Sequence, residues 1–169
     1  PPSGWTLIAS QPGTGITLNI YVKIAGGSEP ASYTWTFNTN TNSSCSLATY
    51  SNCYTSGNLE IDALNIQANA SSTSMTATGV QPESSAGMLV FMGATSNVRA
   101  TPPGSMTERS DTGVTAAGSY IADQLLSSFS ATGTKTATLA SSVANVAAQV
   151  LLLPAYTALS STAGAMTPF

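Results

Sequence analysis

Two groups of residues have types and spacing that could do chemistry. Asn58, Glu60 and Asp62 form an N-x-E-x-D pattern, and Glu60 and Asp62 share one face of the alternating stretch LEIDALNIQA at 59–68. Oxygen donors spaced this way could ligate calcium, and two carboxylates facing each other across a cleft could serve glycoside hydrolysis. The plainer reading is the solvated face of a strand, so the calcium set is weak. Cys45 and Cys53 are the only cysteines, and the chain has no histidine. Zinc wants four ligands, so this pair is a poor metal site. With a short polar loop between them, Cys45 and Cys53 are expected to close a disulfide, which implies an oxidising or extracellular setting. Two free thiols are the alternative.

Nucleophilic catalysis fares no better. Without histidine, only Lys23 or Lys135 could serve a serine as base, and no Ser-x-x-Lys run occurs. No glycine-rich phosphate loop leads into a helix. Glu108, Arg109 and Asp111 cluster after TPPGSM and read as a local ion pair. Asn42-Ser-Ser and Asn69-Ala-Ser are glycosylation sequons, of a kind that arises by chance in a chain this rich in Asn and Ser. The chain therefore reads as non-catalytic and without cofactor.

Composition points the same way. Charged residues are 7% of the 169, against roughly a quarter in ordinary soluble domains, and the net charge is -3. Lys23, Arg99, Arg109 and Lys135 are scattered, so no basic patch for nucleic acid is legible. No apolar run reaches the ~18–20 residues of a membrane helix. Ser, Thr, Ala, Gly and Asn replace the missing charge. Such a surface suits chains that pack into large assemblies, where a desolvated charge costs more than a hydroxyl. Apolar residues at 42%, recurring with strand periodicity, argue against disorder.

The elements that must position these residues read as strands. ITLNIYVKI (16–24) alternates strictly, with Ile16, Leu18, Ile20, Val22 and Ile24 on one face. SYTWTF (32–37) sets Tyr33, Trp35 and Phe37 on one face, for core packing or, alternatively, a ligand platform. SLATY (46–50), LEIDALNIQA and STSMTATGV are further strands. GMLVFMGA (87–94) is a continuous apolar run, hence a strand buried on both faces. SSVANVAAQVLLLPA (141–155) is rich in helix formers. Recurrent Val, closure by Pro154 and its place in a repeat favour strand.

That repeat is visible in the letters. PPSGWT (1–6) returns as PPGSMT (102–107), ITLNIYVKI as GSYIADQLL, SYTWTF as TKTATL (134–139), and CSLATY as AAQVLLLP, in the same order. The expected fold is an all-β, jelly-roll-like sandwich built by internal duplication. It would be a single domain over 1–155, with half-repeats at about 1–58 and 75–154 and a crossover at 59–74. Residues 156–169 form an uncharged tail, either folded back or packed on a neighbouring subunit.

PPSGWTLIAS, LNIYVKIAGGSEPASYTWTF and ATYSNC…IDA, followed by GMLVFMGA, PPGSMTERSD and TGTKTATL, resemble a recurring domain of phage and bacterial genomes. The resemblance covers nearly the whole chain. It implies a β-sandwich of phage structural proteins (fibres, tail and head decorations) and of secreted surface proteins, and no known reaction. Cys53 and the loop after it replace the Gly-Val-Asp of that pattern. The pattern also carries a strand like GMLVFMGA before its first Pro-Pro turn, so the first strand is expected to lie outside the chain as given.

The expected role is a structural subunit in a virion or on an extracellular surface. Its partners would be copies of itself and other virion proteins. A cellular surface filament assembled by strand sharing is the alternative. A third reading is a carbohydrate-binding module that meets surface glycans through Trp5, Trp35 or the tyrosines. Neither nucleic acid nor membrane is an expected partner.

Overall fold

In the computed structural model, ITLNIYVKI becomes strand β2 (Ile16–Val22), which forms an antiparallel hairpin with β1 (Thr6–Gly13). The structure describes residues 1–55, 61–83, 86–113 and 116–155. Six further strands follow: β3 (Ile61–Ala77), β4 (Met88–Thr95), β5 (Ala100–Thr101), β6 (Thr107–Asp111), β7 (Gly118–Leu125) and β8 (Lys135–Leu152). The fold is all-β, with no helix among the described residues. β3, β8, β4, β7 and β6 lie side by side in that order, all antiparallel, and β5 adds to β8.

β3 and β8 run for 17 and 18 residues, longer than the strands they flank. Their ladder slips between Asn69 and Ser72 and again between Ser72 and Ser74. Such bulges bend a strand pair and increase its twist. Past the bend, Met75, Ala77, Ala137 and Leu139 close over one face of the central sheet, against Leu89, Phe91, Tyr120 and Ala122. Gly93 makes room for this closure, because a Cβ there would lie 2.4 Å from Met75 Sδ. The β1–β2 hairpin covers the other face, where Leu18 and Ile20 meet Val90, Ala94, Ile121, Val146, Ala148 and Val150. The molecule is thus sandwich-like, and β4 is apolar from Met88 to Ala94, as suits a strand covered on both faces.

Two buried amides hold the bend. Gln149 Nε2 donates to the carbonyls of Ala77 and Gly133, each at 3.0 Å, and Gln149 Oε1 accepts from Thr132 Oγ1 at 2.7 Å. Asn145 Oδ1 accepts from Asn69 Nδ2 at 2.9 Å.

Residues 141–152 are strand despite their helix formers, because β3 and β4 pair with them from both sides. Other expectations are corrected. The described part of LEIDALNIQA (61–68) and STSMTATGV as far as Ala77 lie in one strand, β3. TKTATL and SSVANVAAQVLLLPA likewise merge into β8. Among the described residues SYTWTF and SLATY form no ladder; burial alternates through SLATY, whereas in SYTWTF Tyr33 and Trp35 are half-buried and Phe37, expected on their face, is 54% exposed.

Candidate functional site

The Pro-Pro phrase recurs as geometry. In PPSGW, the Trp5 amide donates to the Pro2 carbonyl at 3.3 Å, and Gly4 has φ 83°. In PPGSM, the Met106 amide donates to the Pro103 carbonyl at 3.1 Å, and Ser105 has φ 68°. Each turn opens a hairpin. Thr6 pairs with Val22, Leu7 with Tyr21, and Ala9 with Ile20 across a slip at Ile8. Thr107 pairs with Asp123, Glu108 with Ala122, and Ser110 with Ile121 across a slip at Arg109. A constant shift of 101 residues maps one register onto the other, bulge included.

The outer side of the first hairpin carries an aromatic cluster. Trp35 lies 4.6 Å from Tyr21 and 5.8 Å from Trp5 between ring centroids, and Trp5 lies 5.3 Å from Tyr33. The rings meet at 58–87°, edge to face or tilted, as aromatic rings pack against one another. They share no common plane, so they form no flat platform of the kind SYTWTF suggested for a sugar. Trp5, Tyr21, Tyr33 and Trp35 are only half-buried and lie outside both main core clusters, which corrects the expectation of plain core packing for Trp35. Lys23 Nζ caps the cluster 4.8 Å above the Tyr33 ring, donating to Tyr33 Oη at 2.9 Å and to Glu29 Oε2 at 2.5 Å. Lys23, with help from the Gly26 amide, holds the Glu29 carboxyl below its usual range.

Beside the second hairpin, Asp123 is 3% exposed and accepts from Arg109 Nε at 2.8 Å and Tyr50 Oη at 3.0 Å. Burial, then the bond to Asp123, pushes the Tyr50 phenol above its ordinary value. Tyr50 arrives on an extended run laid along β7. Ser46 meets Ser119 and Ser110 through hydroxyls, each at 2.8 Å, and Ser44 meets Thr112 and Ser119. SLATY is therefore held by side chains alone. Sequence reasoning missed this network. The available signal was Asp123 itself, an acid on the same face of GSYIADQLL as Ile121.

The sequence-derived candidates fall elsewhere. Asn58 and Glu60 lie outside the described residues. Asp62 is buried, accepts from the Glu83 amide at 3.1 Å, and is not on a solvated face. Among the described residues, no three His, Cys, Asp or Glu side chains gather as a metal site. Arg109 pairs with Asp123, while Asp111 binds the amides of Ala100 and Gly113 and lies 3.8 Å from Arg99, so the local ion pair expected at 108–111 does not form.

Cys45 and Cys53 are free thiols, and the expected disulfide is absent. The intervening chain is not a closed loop. Ser46 is anchored at the Ser119 end of the central sheet and Cys53 at Pro154, toward the opposite end, and a bridge needs Cα atoms within about 7 Å. Asn42 is exposed. Asn69 is a poor glycan acceptor, because its Nδ2 already donates to the Thr76 carbonyl and to Asn145.

No family model, no curated protein and no solved structure matches this chain.

Proposed function

We propose that this protein is a non-catalytic structural subunit of an extracellular assembly, with a bacteriophage decoration, fibre or tail appendage as the specific case. The observation that carries the assembly reading is the β1–β2 hairpin. Among the described residues its two strands pair only with each other, so it presents unpaired main-chain edges beside half-buried aromatic rings. Natural sheets cover, charge or bulge such edges unless another chain is to use them. Leu7 and Phe37, 48% and 54% exposed, add apolar surface in the same region of the chain. The low charge and the sequence resemblance support the phage case.

A cellular surface filament is the second reading, and the same open edges favour it, since strand sharing propagates subunits into fibres. Negative-stain electron microscopy of the native source separates the two. Copies arrayed on a particle support the first, and continuous fibres support the second. Dispersed monomers at native concentration would remove both. A carbohydrate-binding role has less support, because the cluster offers no common plane. Saturable binding on a glycan array would restore it.

A further inference from the structure

The second hairpin carries an ion pair where the first carries apolar side chains. The shift of 101 residues puts Arg109 in the place of Ile8 and Asp123 in the place of Val22. The turn and the bulge therefore form without these charges. A buried ion pair is also weak ground for stability, since apolar residues of similar volume serve as well. β6 slips at Arg109, and a bulge re-aims the side chain it carries.

The pair has bonding capacity left over. Arg109 gives Nε to Asp123 at 2.8 Å, and its two Nη groups make no hydrogen bond among the described residues. Asp123 Oδ2 accepts from both Arg109 and Tyr50, whereas Oδ1 accepts none among the described residues. Spare donors and a spare acceptor thus sit within one pair. Arg109, Asp123 and Tyr50 line a cleft of about 400 Å³. That volume falls toward the small end of ligand sites, which run roughly 300–1,000 Å³. Leu47, Ala48 and Met88 give the cleft apolar walls.

The chemistry of a fitting ligand follows. An anion drawn to Arg109 would meet the Asp123 charge, and a cation drawn to Asp123 would meet Arg109, so the ligand is neutral. It must offer a donor and an acceptor on adjacent atoms. A trans peptide unit points its N–H and C=O in opposite directions and cannot serve both groups at once. Neighbouring hydroxyls can, because each one donates and accepts. We propose that this cleft binds a neutral pyranose sugar through two adjacent ring hydroxyls, one donating to Asp123 Oδ1 and the other accepting from an Arg109 Nη group. The ring C–H groups then lie against Leu47, Ala48 and Met88. This site goes beyond the assembly reading and does not depend on it. It belongs to the second hairpin, so the absence of a common plane among the aromatic rings of the first has no bearing on it.

The isotope-labelled full chain is titrated with the methyl glycosides of glucose, galactose and mannose, and the Arg109 Nε–H resonance is followed. Cyclohexanol is the one-hydroxyl control, and acetate and methylammonium are the charged ones. At least one glycoside should shift the resonance saturably, with a Kd in the millimolar range. The three controls should bind at least tenfold more weakly. Saturation transfer to the glycoside then compares variants. Arg109→Ile and the triple variant Tyr50→Phe/Arg109→Ile/Asp123→Val should each lose at least tenfold in affinity, while Trp35→Phe, which alters the aromatic cluster, should bind as the parent does. Arg109 is half exposed, so its single variant tests the site even where the triple variant fails to fold. Binding by none of the glycosides, a control that binds as tightly as they do, or unchanged binding by Arg109→Ile overturns the proposal. Overhauser contacts from Tyr50 or Arg109 to residues 56–60, 84–85 or 156–169 in the sugar-free chain would also overturn it, because the chain itself would then fill the cleft.

Discussion

Gly4 and Ser105 occupy the same position of the same turn, one hydrogen-bonded residue before Trp5 and Met106, and both have positive φ. The third position of such a turn needs the left-handed region, which suits glycine and strains residues with a Cβ. PPSGW places its glycine there. PPGSM places its glycine one residue early, where a Cβ would meet nothing within 4 Å. The two phrases look alike as letters, but only the first is matched to its backbone.

Ser105→Gly should therefore stabilise the protein by about 0.5–1 kcal/mol, the relief of left-handed strain less the extra unfolded-chain entropy of glycine. Gly4→Ser should destabilise by a similar amount. Its new Cβ would also press on Lys23 Cε at 3.1 Å. Urea unfolding of the two variants reads the signs directly. Shifts of the same sign would mean that the turns are not equivalent.

Faces were legible in the sequence, and partners were not. Strict alternation in ITLNIYVKI correctly assigned Leu18 and Ile20 to the core, and the unbroken apolar run of GMLVFMGA announced burial on both sides. The alternation in SYTWTF, which like SLATY read as a strand, put Tyr33, Trp35 and Phe37 on one face, yet Tyr33 and Trp35 are only half-buried and Phe37 is 54% exposed. It could not say that these runs lack a ladder, because a strand is defined by a neighbour's backbone. The Tyr50–Asp123 bond joins residues 73 apart, beyond any local pattern. The cysteine spacing misled for the same reason, since eight residues can close a loop or stretch across a sheet.

The Arg109–Asp123–Tyr50 network stands where the first hairpin has Ile8 and Val22. Truncating one partner should cost stability, whereas replacing the group as a whole should not. Tyr50→Phe is expected to cost about 1.5–2 kcal/mol, the loss of one bond to a buried carboxylate. Arg109→Ile should cost less than Tyr50→Phe, because the guanidinium is half in water and its pairing is screened. The triple variant Tyr50→Phe/Arg109→Ile/Asp123→Val should return to within about 1 kcal/mol of the parent. Additive losses in denaturant melts would show that the charges contribute net stability.

Tyr50 and Tyr120 should make the fold sensitive to alkali. Burial comes first in raising both phenols, followed by the bond to Asp123 for Tyr50 and the charges of Glu108 and Asp111 for Tyr120. A folded-state value above the unfolded value of about 10 means that the native state keeps its proton longer. The resulting stability is complete below pH 10 and is lost as pH rises beyond it. Absorbance at 295 nm should show these two tyrosines ionising only together with loss of β-sheet ellipticity. Reversible ionisation of every tyrosine near pH 10 in folded protein would refute this.

Gln149 is fully buried, and its amide serves both sides of the bend that folds β3 and β8 over the core. Gln149→Leu keeps the volume roughly constant but leaves the carbonyls of Ala77 and Gly133 and the Thr132 hydroxyl without this partner. The expected cost is about 2–4 kcal/mol, since unmet buried carbonyls are charged their full desolvation. Thr132→Val removes only the donor to Oε1 and the hydroxyl's bonds to Val80, and should cost about 1–2 kcal/mol. Combined, the two losses should fall short of their sum, because the Thr132–Gln149 bond can be broken only once. The measurement is a double-mutant cycle by urea denaturation. A Gln149→Leu variant as stable as the parent would mean that Met75, Ala77, Ala137 and Leu139 hold the bend by apolar packing alone.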